Sequence, residues 1–286
     1  MTVHALRQPE ADEPDMAEGR LDWLAEQIVR NRFLPVPSPE RIFVGDGGFL
    51  PVGVEFLTWF VRAGDLMPNE RVLDLGCGIG RMALPLTQYL QDGSYDGVDV
   101  SAEGIAWCTE TIASRYERFR FHRLDLAHPI YNPGGAASTS AVRLPFDDGA
   151  FDFVFACSVL THLDADEIRA YAHEIRRVMA PGARCLVTSF MLNRPAREGL
   201  LAGRGVLPFD GAASDPEIYA DPANPTAAVA FDEDYLLAMF LAAGLKRRHP
   251  AIYGRWSGRS TPGESFQDIS VFEIDPVALG AAEHQG

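Results

Sequence analysis

Ten residues, Val72-Leu73-Asp74-Leu75-Gly76-Cys77-Gly78-Ile79-Gly80-Arg81, constrain this chain more than any other stretch. Val72 to Leu75 is branched and apolar apart from Asp74, the composition of a short buried strand. Three glycines at alternate positions then turn the chain, and Met82 to Tyr89 resumes with helical composition. Strand, glycine turn and helix in that order let bare backbone approach a nucleotide-like ligand. Strands and helices alternate from here on. A three-layer α/β/α, doubly wound fold is therefore expected.

The spacing of the glycines narrows the ligand. A dinucleotide turn reads G-x-G-x-x-G, its third glycine bringing helix and strand together under a pyrophosphate. Here the pattern is G-x-G-x-G, and Arg81 stands where that third glycine would be. Asp74, two places before Gly76, would repel a diphosphate but suit a ligand carrying an ammonium group. At these residues the chain resembles the class I S-adenosylmethionine (AdoMet) methyltransferases. The resemblance implies AdoMet as cofactor and S-adenosylhomocysteine as product, with Asp74, Gly76, Cys77, Gly78 and Arg81 around the cofactor. It also implies a mostly parallel seven-stranded sheet whose C-terminal strand is antiparallel.

Composition excludes several partners. A formal net charge of −15 disfavours nucleic acid, whose binding draws on Lys and Arg against phosphates, and equally an anionic membrane surface. Cys77, Cys108, Cys157 and Cys185 are far apart, with no C-x-x-C pair and no His at ligand spacing, so no zinc site is expected. They read as reduced thiols. With no basic-then-apolar N-terminal segment, and with Leu236–Leu245 too short to span a bilayer, a cytoplasmic protein is expected. Sequence alone leaves the oligomeric state open.

Residues 1–18 are polar and acidic and are expected to be disordered. Residues 19–68 read as a helical cap segment, with a helix from Gly19 ending before Phe33 and another over Val54–Val61. The AdoMet-binding domain is expected over 69–276, and 277–286 is a polar tail. Tyr95 to Val100 reads as the second strand, with Asp99 falling 23 positions after Gly76 (99 − 76), near the interval at which such folds place a ribose-binding acid. Asp99 is therefore assigned to the ribose hydroxyls, with Val100 beside it. The alternative is that Asp99 caps the helix starting near Ser101. The third strand, Phe119 to Leu124, ends in Asp125-Leu126, where the resemblance implies recognition of adenine. Trp107 and Trp59 read mainly as core. Residues 127–142 lack periodicity and form a long loop at the ligand face, with Tyr131 a candidate for substrate contact.

A second strong signal runs from Arg143 to Leu163, a turn, an apolar strand (Phe153 to Ala156) and a loop ending in His162. It resembles the fourth motif of small-molecule methyltransferases, which implies that Cys157 and Ser158 hold the methionine portion of the cofactor. Asp164 caps a helix to Met179, Ala180-Pro181-Gly182 stops it, and Ala183 to Leu192 forms a fifth strand. Residues 193–231, rich in Gly, Pro, Ala and Asp, read as a lid inserted in the domain. A helix follows from Asp232 to Ala242, then strands over 246–253 and 265–274. The loop between them offers Tyr253, Arg255, Trp256 and Arg259 to the substrate, the arginines suiting a carboxylate or phosphate.

Methyl transfer from a sulfonium needs alignment and exclusion of water, and no metal if the acceptor is already nucleophilic. An oxygen acceptor also needs a base, for which His162 is the candidate. The expected activity is transfer to an O (or N or S) atom of a small molecule. An NAD(P)-dependent reductase and a noncatalytic AdoMet-binding regulator are the alternatives. Arg81 and Asp74 argue against the first, and an elaborated lid against the second.

Overall fold

The computed structural model describes residues 14–276 apart from 44, 46, 128–131, 137, 210–214 and 262. Two helices lead, α1 (Pro14–Arg30) and α2 (Phe49–Arg62). Strand and helix then alternate through β1 (Arg71–Leu75), α3 (Ala83–Tyr89), β2 (Ser94–Asp99), α4 (Ala102–Cys108) and β3 (Phe119–Arg123). After a long loop come β4 (Phe151–Ala156), α5 (Ala165–Val178), β5 (Met179–Ser189), β6 (Met191–Leu192), α6 (Arg194–Leu201), β7 (Glu217–Tyr219) and β8 (Val229–Asp232). The chain closes with α7 (Glu233–Ala242), β9 (Leu245–Arg247) and β10 (Asp268–Ile274).

Seven strands form one sheet in the order β3-β2-β1-β4-β5-β10-β9. The first five named run parallel to one another, and β10 is antiparallel to both its neighbours. This is the expected doubly wound sheet with one reversed C-terminal strand. Alternation along β1 explains the two cores. Leu73 and Leu75 join Val154, Ala156 and Cys185 under α5 and α7, through Ile168, Ile175, Leu236 and Phe240. Val72 joins Tyr95, Phe153 and Phe155 under α2, α3 and α4, through Leu57, Phe60, Leu84 and Trp107. Most of these side chains are 0–1 % exposed, each contributing on the order of 2 kcal/mol of burial.

Local signals set several boundaries. Asp164 and Glu167 form a reciprocal capping box on α5. Asp232 accepts from the Asp234 and Tyr235 amides to start α7, and Gly244 at φ 82° ends that turn.

Several boundaries differ from expectation, among them α2, which starts at Phe49 and not Val54, and β10, which starts at Asp268 and not at 265. Helix α1 begins at Pro14, inside the stretch expected to be disordered, because Leu21 and Ile28 bury a stripe that supports its turns. Residues 1–13 and the tail from 277 lie outside the described residues. Pro181-Gly182 falls inside β5, which starts at Met179 directly after the helix. The single strand expected over 183–192 is broken at Phe190, since Asp268 Oδ2 takes the Met191 amide at 2.6 Å and β6 enters a second sheet. The 246–253 strand is short, ending at Arg247 ahead of Pro250, with only an isolated bridge from Ile252 to Ile269.

Residues 191–232 build that second sheet, β6-β8-β7, over most of the stretch expected to be a lid. A core of Phe190, Leu192, Ala196, Phe209, Ile218 and Ala230 backs it, closed by Trp256 from the C-terminal loop.

Candidate functional site

The strand order reverses between β1 and β4, and the singled-out residues sit at the carboxyl ends on either side of that point. Ligands of open α/β sheets bind in this crevice. The glycine turn is fastened to its neighbour strand, since the Gly76 and Cys77 amides both donate to the Val98 carbonyl, at 2.9 and 3.0 Å. Gly76, Gly78 and Gly80 have φ of 78°, 54° and 76°, a region that side chains resist. A Cβ on Gly76 would lie 2.5 Å from Val159 Cγ2, so the loop after β4 rests directly on the turn after β1. The two motifs, about eighty residues apart, are one surface.

Asp99 ends β2 half-buried. Its Oδ2 accepts the Gly78 amide and its Oδ1 the Ser101 amide, both at 2.7 Å. The helix cap that was the alternative role belongs to Ser101, whose hydroxyl accepts from the Gly104 amide. Burial pushes the Asp99 pKa up, against the pull of those amides. The Val100 amide is a third backbone donor to this carboxylate, whose two oxygens offer about four acceptor sites. Val100, partly buried, packs against the α5 side.

Asp125 is exposed at the end of β3 and Leu126 is buried beside it. A residue that sequence reasoning missed holds this pair. Asn132 Nδ2 donates to the Leu126 carbonyl at 2.9 Å and to Asp125 Oδ1 at 3.2 Å, and its Oδ1 accepts from Arg123. Tyr131, the neighbouring substrate candidate, lies outside the described residues.

Asp74 has a different environment from the one its position suggested. It is 1 % exposed and accepts a 2.6 Å hydrogen bond from the Tyr95 hydroxyl. Burial raises its pKa to about 8, with nearby Asp99 adding to the rise. Burial thus favours the neutral carboxyl, whose hydrogen-bond partner is the Tyr95 hydroxyl. Arg81 is likewise committed within the chain. Its Nη2 donates to the Gly45 carbonyl at 3.0 Å and its guanidinium lies 5.8 Å from the Phe49 ring centroid. Because Gly53 lets α2 pack against the Arg81 carbonyl, this residue straps the N-terminal segment to the glycine turn.

Beyond β4, Cys157 is partly buried and burial pushes its thiol pKa far up, so it is no thiolate. Ser158 is exposed at φ 58°, rare for a residue with a side chain. Two partners hold it there: its amide donates to Thr188 Oγ1 at 2.7 Å and its hydroxyl to Gln267 Oε1 at 3.2 Å. Neither partner carries a local signal. His162 closes the following turn half-buried, its Nδ1 2.8 Å from the Thr226 carbonyl in the insertion. A carbonyl only accepts, so Nδ1 carries the hydrogen and the neutral ring keeps its Nε2 lone pair free to accept.

The C-terminal loop divides. Trp256 requires a correction: it is 0 % exposed, the centre of the insertion's core, and its indole donates to Asp268 Oδ2 at 2.8 Å, so it presents nothing to a substrate. Arg255 is exposed and donates to the Glu264 carbonyl at 2.6 Å. Tyr253 spends its hydroxyl on Glu233 and lays its ring under Arg259. Phe49 is buried and Trp59 partly so, both packed with the α2 side. Among the described residues, no helix is long and apolar enough to cross a membrane, and no three His, Cys, Asp or Glu side chains cluster to hold a metal.

Known proteins carry the same unit. A family model described as a methyltransferase domain matches residues 72–182. A demethylmenaquinone methyltransferase of Thermus thermophilus is 31 % identical over 200 residues, covering 68 % of this chain and 83 % of that protein. An O-methyltransferase of Aspergillus nomiae is 28 % identical, the match spanning 44 % of this chain and only 48 % of that protein. Among solved structures, 1,6-didemethyltoxoflavin-N1-methyltransferase of Burkholderia thailandensis, with 1,6-didemethyltoxoflavin and S-adenosylhomocysteine bound, shares the fold at TM-score 0.51 and 16 % identity, covering 94 % of this chain and 93 % of that one. Glycine turn, strand order and a relative matched over most of its length agree, and the chain belongs to the class I S-adenosylmethionine-dependent methyltransferases.

Proposed function

We propose that this enzyme methylates an oxygen (or a nitrogen or sulfur) of a small-molecule acceptor, with His162 as the base when the acceptor carries a proton. The residues fit the cofactor. The glycine turn has no Cβ at Gly76 or Gly78, Asp99 has an acceptor site to spare at the strand end, and Asp125-Leu126 lie at the next strand end. In this reading Asp99 accepts from ribose hydroxyls, Asp125 and Leu126 meet the adenine, and Ser158 holds the methionine end. AdoMet, when bound, supplies a methyl group on a positively charged sulfur.

The chain's own contribution is position and proton handling. The observation that carries the assignment is the bond from His162 Nδ1 to the Thr226 carbonyl, which fixes the ring and directs basicity to Nε2. That bond also joins the base to the insertion, so covering the acceptor and orienting the base are one event. A small acceptor accords with the name of the Thermus relative and with the net charge of −15, which disfavours RNA.

Calorimetric titration with S-adenosylhomocysteine, with NADH and NADPH in parallel, tests the cofactor. Binding of the first alone is expected, and binding of a nicotinamide would overturn the reading. His162→Ala should lower turnover on a hydroxyl acceptor by about 10²–10⁴-fold while leaving S-adenosylhomocysteine affinity intact. Equal losses in both would make His162 a structural residue.

A further inference from the structure

Arg259 is buried, its side chain 4 % exposed, yet its Nε and Nη2 meet no hydrogen-bond acceptor. These two atoms form one edge of the guanidinium. Elsewhere in this protein that edge grips carboxylates. Arg71 donates from Nε and Nη2 to the two oxygens of Asp152 at 2.9 and 2.7 Å, and Arg120 to those of Asp96 at 2.9 and 2.6 Å. Arg259 presents the same fork with nothing in it, and an unmade pair of charged donors in a dry site is costly.

The nearest anion does not fill the fork. Asp268 Oδ1 lies 3.7 Å from Nη2, an ion pair without a hydrogen bond. Its oxygens already serve the Gly254 amide, the Met191 amide and the Trp256 indole, at 2.7, 2.6 and 2.8 Å. Asp268 therefore balances the charge and holds the loop, while the Tyr253 ring, 4.4 Å from the guanidinium, fixes its plane. Ser189 Oγ and Ser257 Oγ are also buried and unpaired. Ser189 is the cross-strand partner of Asp268 and follows Thr188, which holds the Ser158 amide, so β5 links these polar groups to the loop after β4.

We infer that Arg259 anchors a carboxylate carried by the methyl acceptor, an inference that rests on the methyltransferase reading above. Two donors on one planar edge match the two oxygens of a carboxylate. The turn from α6 lies over the arginine's loop, Arg204 Nε bonding the Gly258 carbonyl and the Val206 amide the Trp256 carbonyl. The acceptor reaches the fork when that cover parts, and Asp268 keeps its three donors throughout.

The full chain is first saturated with S-adenosylhomocysteine in a calorimeter; failure there would count against the methyltransferase reading, separately from this one. Benzoate, benzamide and phenyl phosphate are then titrated. Benzoate should bind at least about tenfold more tightly than the other two, reflecting a charge-assisted fork. Arg259→Gln should abolish that preference, and Arg259→Lys should weaken it, with S-adenosylhomocysteine affinity unchanged in both. Equal binding of benzoate and benzamide, no binding of benzoate, or a preference that survives in Arg259→Gln would overturn the assignment. Tighter binding of phenyl phosphate would overturn its restriction to carboxylates. If Arg259→Gln does not fold, Arg259→Lys and the three ligands on the unaltered protein still decide.

Discussion

Asp74→Asn separates two roles for the residue at the head of the glycine turn. With its pKa pushed up to about 8 by burial, Asp74 is roughly nine-tenths protonated at neutral pH in the folded chain. In the unfolded chain it titrates near the ordinary aspartate value, about 4. The sign follows directly. Between about pH 4 and about pH 8 the folded state binds the extra proton, so this group's contribution to stability is complete below pH 4 and declines as pH rises. The limiting slope is about 1.4 kcal/mol per pH unit, or on the order of 3 kcal/mol between about pH 5 and about pH 7.5. An amide mimics the protonated carboxyl, can still accept from the Tyr95 hydroxyl, and does not titrate. Urea unfolding of both proteins at about pH 5, 6, 7 and 8, followed by tryptophan fluorescence, gives the difference curve in which other groups cancel. Asp74→Asn should gain on the parent chain steadily as pH rises. A difference that does not change with pH would refute a neutral Asp74. S-adenosylhomocysteine affinity near pH 7 should stay within about threefold; a loss of about 1.4 kcal/mol or more, tenfold in affinity, would return Asp74 to its expected role as an ammonium partner.

Asp99→Ala should weaken S-adenosylhomocysteine binding by about 1–3 kcal/mol in calorimetry, and unchanged affinity would confine Asp99 to fastening Gly78 and Ser101. Gly76→Ala places a Cβ at φ 78° against Val159, which should cost about 1–2 kcal/mol for the left-handed backbone alone and more for the collision. Adding Val159→Ala should recover part of the lost Tm; full recovery would deny the backbone strain, and no recovery would deny the contact.

What the chain disclosed before its structure follows from the range of each interaction. The glycine turn, the strand end at Asp99 and the Asp164 capping box are local signals, and the structure has each of these elements in place. Sheet order followed from alternation and from the resemblance. The pairs that shape the site are long-range and have no period: Thr188 and Gln267 on Ser158, Thr226 on His162, Gly45 on Arg81. Asn132 on Asp125 is nearer, but lies in a loop whose composition says nothing of direction. Trp256 was misread because glycine and arginine neighbours look like surface, while the residue that buries its indole nitrogen, Asp268, is twelve positions on. For Asp74, sequence context gives the place on a strand but not the depth at which its carboxyl loses water.

The reversed strand β10 also dictates an order of events in the making of the molecule. Its residues Asp268–Glu273 pair with Ser189–Arg184 of β5, so β5 lacks its outer neighbour until a segment roughly eighty residues further on has left the ribosome. Throughout that interval the Cys185–Ser189 stretch, wholly buried in the finished sheet, is an open apolar border with unpaired amides. Synthesis at about 5–20 residues per second leaves this border exposed for several seconds. A nascent chain stalled before Asp268 would therefore present a sticky edge of the kind that chaperones shield, and the emergence of β10 is the step that closes it.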